Sequence, residues 1–151
     1  MIVDCAQYID GTRQDTGPLD VETAAARAGQ GGGFVWLGLH APDDGELKAV
    51  GEAFGLHELA LEDASNKHQR PKLEDYDGSY FVVLKTARYD DEREEVDFGE
   101  INVFLGAGYV IAVRHGAASE LAPARNRLEA RPELVRVGPA AAAWASLAKG
   151  V

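Results

Sequence analysis

The sequence predicts an α/β fold in which a mixed parallel and antiparallel sheet has helices on both of its faces. Residues 1–66 alternate apolar strands with short amphipathic helices, which is the pattern of successive βα units. Residues 80–114 contain three apolar runs separated by turn sequences, which is the pattern of an antiparallel meander. Combining both patterns in one chain predicts a sheet that is partly parallel and partly antiparallel.

The amino-terminal elements follow from local signals. Ile2 to Tyr8 is rich in β-forming residues and predicts the first strand. Asp20 stands where it can cap a short helix that stops at Gly29. The run from Phe34 to Leu39 is almost continuously apolar, which predicts a strand that is covered on both faces.

Two helices are predicted next. Either Asp43 or Asp44 caps the first, and Gly55 ends it. The second helix covers residues 58–66. Its expected apolar contributors are Leu59, Ala60 and Leu61.

The rest of the chain predicts the meander and two further helices. Its strands lie at 80–89, 98–105 and 109–114, with an acidic hairpin loop after the first of them. Helices are expected at residues 120–131 and 140–151. Leu121 and Leu128 should point inward from the former, and the latter carries an apolar stripe of Trp144, Leu147 and Val151.

This apolar stripe continues up to the final residue. We therefore expect residues 1–151 to form a single domain that is truncated at the start of a longer helix. The absence of internal repeats and of a low-complexity linker favours one domain rather than two.

Composition excludes several classes of function. The chain of 151 residues has a formal net charge of −10, which argues against nucleic acid as a main partner. Residues 1–113 hold 9 basic and 22 acidic side chains, whereas residues 114–151 hold 6 basic and 3 acidic ones. This asymmetry fits two faces that attract each other between copies, and equally fits an ordinary solvated surface. Cations and basic surfaces remain plausible partners.

No segment is long enough to cross a bilayer, and no signal peptide is present. The longest apolar run, Ile101 to Val113, has 13 residues and contains Asn102, whereas a span needs about 18–20. A soluble intracellular protein is therefore expected. Cys5 is the single cysteine and excludes an internal disulfide. A reactive thiol is one interpretation of Cys5, and the favoured one is a small buried residue of the first strand.

The sequence contains little catalytic chemistry. His40, His57, His68 and His115 lack zinc spacing, although a zinc site assembled from distant residues stays open. No nucleophile elbow occurs, and the three glycines at 31–33 are not followed by the lysine of a phosphate-binding loop. We expect no enzymatic activity.

Adjacent acidic residues occur at several places, including Glu62-Asp63 on the second predicted helix after the covered strand. Neighbouring side chains on a helix diverge by about 100°, so Glu62 and Asp63 cannot easily clamp one ion together. Each could supply oxygens to a hard cation whose coordination another chain completes. A solvated helix face is the ordinary alternative.

Two stretches carry a resemblance to a known family. They read FGLHELALED at residues 54–63 and HQRPKLEDY at residues 68–76. Flanking matches are a Trp-led strand at 36–39, a strand at 80–90 and a hairpin at 102–116 that ends in a Val-x-His pattern. In this order and spacing, the chain resembles the amino-terminal cytoplasmic domain of the CorA-type magnesium/cobalt transporter family over roughly residues 34–150.

The resemblance implies a fold and a function. The fold is a three-layer α/β/α sandwich, and the function is that of a divalent-cation-sensing regulatory domain at the cytoplasmic face of the inner membrane. The family's full protein is a homopentamer, with a long helix leading to two membrane helices and a Gly-Met-Asn pore motif. Glu62 and Asp63 correspond to an acidic pair that forms part of a regulatory Mg²⁺ site at the subunit interface, and Asp63 is the firmer assignment. Mg²⁺ is thus the expected ion, both regulatory and transported.

This chain departs from the family pattern in several respects. Glu58 stands where the family often has proline, and the partner carboxylates, membrane helices and pore motif are absent. The membrane would thus be reached only through missing carboxyl-terminal helices, and the half-site should bind Mg²⁺ poorly. The open alternatives are the same domain of a zinc-transporting relative and a free-standing soluble interaction module.

Overall fold

The computed structural model describes residues 1–14, 17, 19–66, 69–117 and 120–150, with side chains as far as residue 148. Seven strands and six helices occur within these ranges. The strands are β1 (Ile2–Ile9), β2 (Thr12–Arg13), β3 (Gly33–His40), β4 (Lys72–Asp75), β5 (Tyr80–Asp90), β6 (Glu95–Gly106) and β7 (Tyr109–Gly116). The helices are α1 (Val21–Ala28), α2 (Asp44–Phe54), α3 (Glu58–Ser65), α4 (Ala122–Glu129), α5 (Pro132–Val135) and α6 (Pro139–Gly150).

The strands form one mixed sheet in the order β2-β1-β3-β7-β6-β5-β4. Strands β3 and β7 pair in parallel, with Val35 opposite Tyr109 and His40 opposite Arg114. The other pairs are antiparallel. The parallel pair therefore joins the amino-terminal strands to the β4–β7 meander, and the predicted mixed sheet is confirmed.

Helices cover both faces of this sheet. On one face, α1, α2 and α3 bury small and aliphatic side chains against β3, β5, β6 and β7. On the other face, α4, α5 and α6 pack against the opposite side chains of β1, β3, β6 and β7. Residues 34–39 of β3 are buried throughout because both layers cover this central strand. The three-layer α/β/α sandwich is thus confirmed.

The predicted helix boundaries follow from capping. The Asp20 side chain accepts a hydrogen bond from the backbone N–H of Thr23 at 2.7 Å. Asp43, rather than Asp44, caps α2 and forms a reciprocal capping box with Glu46. Gly55 ends α2 with a φ of 65°, a left-handed conformation that favours glycine.

Two predicted apolar contributors prove to be exposed. Leu59 is 57% exposed, because Ala60 and Ala64 form the inner face of α3. Trp144 is 70% exposed, because the residues of α6 that face the sheet are Ala142, Ala143 and Ser146. Val151, the last member of the predicted stripe, and His68 lie outside the described residues.

Cys5 is buried on β1, as the favoured interpretation of the sequence has it. Burial raises the pKa of its thiol to about 11, so the reactive thiolate is scarce at neutral pH. Among the described residues, no helix combines the length and the apolar character that a bilayer crossing requires.

Candidate functional site

Helix α3 positions both predicted site residues. His57 precedes the helix, and its ring Nδ1 accepts a hydrogen bond from the backbone N–H of Leu59 at 3.2 Å. Burial of Ala60 and Ala64 against the sheet fixes the rotation of α3. Because a helix turns by about 100° per residue, this rotation sends Glu62 to solvent and leaves Asp63 at the edge of the covered face.

The structure therefore separates the two carboxylates of the acidic pair. The Asp63 side chain is 25% exposed, and its Oδ2 accepts a short hydrogen bond from Lys72 Nζ on β4. Glu62 is exposed on the neighbouring face. The expectation that this pair cannot clamp one ion by itself agrees with this arrangement.

Lys72 lies between two carboxylates. In addition to its contact with Asp63, the ammonium group is 2.7 Å from Glu74 Oε1 and 5.8 Å from the centre of the Phe81 ring. Hydrogen bonds to Asp63 and Glu74 raise the pKa of Lys72 to about 12, so its positive charge is retained at all physiological pH values. The Asp63 charge is consequently balanced from within the chain.

Tyr76 and His57 extend this cluster to the start of α3. The Tyr76 hydroxyl donates a short hydrogen bond to Glu74 Oε2, which raises the pKa of the phenol to about 12. The Tyr76 ring stacks on the His57 ring, with 4.1 Å between the ring centres. Hydrogen bonds from Lys72 and Tyr76 lower the pKa of Glu74. A continuous set of contacts thus connects Asp63 to the amino-terminal end of its own helix.

Sequence reasoning from residue spacing missed this cluster. Lys72, Glu74 and Tyr76 alternate along the chain, and a period of two places all three side chains on one face of an extended segment. That alternation, which begins nine positions after Asp63, is the signal that could have found them. β4 was itself unpredicted, because its four residues have weak β propensity.

A second set of polar contacts anchors the carboxyl-terminal end of α3. His115 Nε2 on β7 lies 3.0 Å from the carbonyl oxygen of Ala64. The buried Glu100 of β6 accepts a hydrogen bond from the backbone N–H of Gln69 at 3.1 Å and pairs with Lys85 at 3.1 Å. Both ends of the Asp63 helix are therefore tied to the sheet.

The remaining acidic pairs have structural partners. Asp43 caps α2, and Asp90 pairs with Arg93 at 2.9 Å within the β5–β6 hairpin. Asp75 accepts a hydrogen bond from the backbone N–H of Gly78 at 3.3 Å. Across the described ranges, no three His, Cys, Asp or Glu residues come together closely enough to hold a metal ion. The site on α3 is therefore at most part of a metal site.

The donor chemistry of that partial site suits a hard divalent cation. Carboxylate oxygens are the ligands that Mg²⁺ prefers, and it retains several waters when few protein oxygens are offered. Lys72 contacts Oδ2 of Asp63, whose side chain remains 25% exposed, and the Glu62 carboxylate is exposed. The residues fit a weak Mg²⁺ half-site.

Comparison with known proteins agrees with the fold and this helix. Residues 31–138, which include α3 and β4, match the model of the CorA-like Mg²⁺ transporter protein family. The chain belongs to this CorA-like family. A match over most of the chain confirms the resemblance inferred from residues 54–63 and 68–76.

One relative is similar in sequence, and two solved structures are similar in fold. The cobalt/magnesium transport protein CorA of Thermotoga maritima is 33% identical over 105 residues, covering 68% of this chain and 29% of that protein. The soluble domain of CorA from Methanocaldococcus jannaschii has a TM-score of 0.59 at 16% identity, covering 99% of this chain and 56% of that one. The ZntB cytoplasmic domain from Vibrio parahaemolyticus has a TM-score of 0.53 at 12% identity, covering 98% of this chain and 53% of that one.

These two solved structures are similar in fold alone. The present chain spans about a third of the length of two curated relatives, the Thermotoga maritima protein and the putative metal ion transporter YfjQ of Bacillus subtilis, which is 32% identical over 106 residues. Those relatives therefore contain further sequence beyond the segment that aligns with this chain.

Proposed function

We propose that this chain is the cytoplasmic, divalent-cation-sensing regulatory domain of a magnesium/cobalt transporter that works as a homopentamer at the inner membrane. The family match, the 33% identity to a cobalt/magnesium transport protein and the share of that relative that is covered support this proposal. In it, residues 1–151 are one regulatory domain, and the membrane-spanning part follows in the same protein.

The observation that carries the proposal is the placement of Asp63 and Glu62. One carboxylate is at the edge of the α3 face and the other points to solvent, on a chain with a formal net charge of −10. Such carboxylates can be reached by acidic side chains of a neighbouring copy, and the set would then have enough oxygens for a cation. We assign Asp63 as the principal ligand of a regulatory Mg²⁺ at the subunit interface and Glu62 as the secondary one.

Regulation then follows from electrostatics. Carboxylates of adjacent copies repel one another, and sharing a divalent cation removes that repulsion and favours the closed ring. When the cation concentration falls, the copies separate and the pore opens. A weak site suits this role, since its occupancy must change within the cellular concentration range.

The experiment uses the complete transporter that the proposal requires. Limited proteolysis of the wild type should be slowed by millimolar Mg²⁺, and Asp63→Ala should remove most of that protection. Glu52→Ala on the exposed face of α2 is a matched control, because it removes one carboxylate outside the site. Unaltered Mg²⁺ protection in Asp63→Ala would exclude the sensor role.

Two further observations test the transporter assignment. The gene should continue past Val151 into two hydrophobic spans, and their absence would favour a free-standing module. A transport assay should detect Mg²⁺ or Co²⁺ flux. Zn²⁺ flux without Mg²⁺ flux would instead assign the protein to the zinc-transporting branch.

A further inference from the structure

Lys72 contacts the same carboxylate that the proposed function assigns to the metal. Its ammonium group donates to Asp63 Oδ2 while both side chains are only 25% exposed. A cation arriving at Asp63 therefore meets a positive charge that is already in place. Two cations beside one carboxylate repel each other, so the ammonium group and the metal cannot both keep their best positions.

We propose that Lys72 is a built-in competitor for the metal, which occupies Asp63 in the cation-free state and sets the affinity of the site. This inference rests on the proposed function, since it describes how that same site is regulated. Lys72 has no role as a ligand in this proposal. It acts through Asp63, by determining how much free energy a divalent cation must supply in order to bind.

The second partner of Lys72 makes the exchange feasible. Lys72 Nζ is 2.7 Å from Glu74 Oε1, so the ammonium group can withdraw from Asp63 and keep a carboxylate. A partly buried lysine that lost both carboxylates would keep its charge without an ionic partner. With Glu74 in place, the exchange costs one charge-assisted hydrogen bond, and Asp63 stays available to a cation that binds weakly.

The protonation state of Lys72 supports a fixed rather than a titrating competitor. Asp63 and Glu74 raise the pKa of Lys72 to about 12, and the neighbouring Phe81 ring faces the ammonium group from β5. The competing charge is therefore held in place by contacts from two carboxylates and one aromatic ring.

The contacts beyond Glu74 give the exchange a local consequence. Glu74 also accepts the Tyr76 hydroxyl, and the Tyr76 ring stacks on His57 at the start of α3. If Lys72 moves toward Glu74 when Asp63 binds a cation, the environment of Tyr76 and His57 changes. Cation binding at Asp63, in the carboxyl-terminal half of α3, would thus also change the surroundings of the first turn of this helix.

The test is a Mg²⁺ titration of the 151-residue chain followed by the backbone amide shifts of residues 58–66. Lys72→Met retains the aliphatic stem but removes the charge, and it should lower the midpoint concentration by about fivefold to tenfold. Lys72→Arg retains a cation and should keep the weak affinity of the wild type. Asp63→Asn in each background identifies the shifts that depend on this carboxylate.

Lys48→Met is the matched control. Lys48 is exposed on α2, and its replacement changes the net charge by the same amount without removing a contact of Asp63. A tighter midpoint in Lys72→Met alone supports the proposal. A purely structural role for Lys72 would lower stability without tightening Mg²⁺ binding, so this readout separates the two.

Two negative outcomes are distinguishable. An Asp63-dependent midpoint that is the same in Lys72→Met and Lys48→Met would reject the competitor while leaving the metal site intact. If neither the wild type nor Lys72→Met shows any shift that Asp63→Asn abolishes, removing Lys72 does not open Asp63 to Mg²⁺ and the competitor is rejected, whereas the proposed function is decided separately by the proteolysis of the complete transporter.

Discussion

His115 Nε2 lies 3.0 Å from the carbonyl oxygen of Ala64, so the end of β7 is hydrogen-bonded to the last turn of the helix that carries Asp63. The carbonyl groups in the last turn of a helix have no partner within the helix. His115 is buried and satisfies one of them. This contact makes the position of the candidate metal site depend on the sheet.

Replacing His115 should therefore destabilise the protein. His115→Phe leaves the Ala64 carbonyl without its side-chain partner, and we expect the free energy of unfolding to fall by about 1–3 kcal/mol. Urea denaturation followed by circular dichroism measures this change. His40→Phe is the control, because the His40 side chain makes no hydrogen bond among the described residues. Equal losses in both variants would argue against the role of the Ala64 contact.

Gly51 on α2 leaves no room for a Cβ atom unless Leu61 moves. A Cβ atom at this position would clash with Cδ1 of Leu61 on α3. Gly51→Ala gains about 1 kcal/mol of helix propensity, yet overpacking should reverse the sign and give a net loss of about 1–3 kcal/mol. Unfolding free energies of Gly51→Ala, Leu61→Ala and the double variant test this. The double variant should lose less than the sum of the single losses, and strict additivity would contradict the clash.

Glu74 should contribute to stability in a pH-dependent manner. Hydrogen bonds from Lys72 and Tyr76 hold its folded pKa below the ordinary value, so its contribution is present above about pH 4.3 and is lost as the pH falls through the folded pKa. Because the side chain is 35% exposed, solvent screening limits the effect of Glu74→Gln at pH 7 to about 0.5 kcal/mol. The unfolding free energies of the wild type and of Glu74→Gln, measured from neutral pH to pH 3, should become equal at the acidic end. A difference between the two proteins that stays constant from neutral pH to pH 3 would contradict the assignment.

The two tryptophans should behave oppositely. Trp36 is fully buried, with the guanidinium carbon of Arg125 at 4.5 Å from the centre of its ring. Trp144, in contrast, is 70% exposed. Trp36→Ala should lower the unfolding free energy by about 3–5 kcal/mol, and Trp144→Ala by less than about 0.5 kcal/mol. Iodide should quench the fluorescence of Trp36→Phe strongly and that of Trp144→Phe weakly. The reverse order of quenching would show that Trp144 is covered in solution.

Elements whose signals are local could be predicted from the sequence. Asp20 and Gly29 bound α1, and Asp43 and Gly55 bound α2, because a cap depends on only a few neighbouring residues. β3 was equally predictable, since six consecutive buried positions require an apolar run. The rotation of a helix with few large apolar residues could not be predicted. The sequence of α3 offers Leu59, Ala60 and Leu61, and close packing against the sheet selected Ala60 and left Leu59 exposed.

β4 and the cluster around it show why the site was only half predictable. The four residues Lys72 to Asp75 become a strand because β5 pairs with them, with Lys72 opposite Val83 and Asp75 opposite Tyr80. That pairing brings Lys72 beneath α3 and next to Asp63. Nine residues separate Lys72 from Asp63 in the chain, and nothing in their spacing predicts the contact.

The sequence by itself determined the α/β class, the mixed sheet and most element boundaries. Its resemblance to a family also predicts a role for the acidic pair on α3. These depend on periodicity, capping and motif order, which are properties of short segments. Only the tertiary structure decided which carboxylate of the pair is held by Lys72, which faces Glu74, Tyr76 and His57 share, and which face of α6 is buried. Those outcomes depend on packing and on charges from separate segments, which meet only when the sheet has formed.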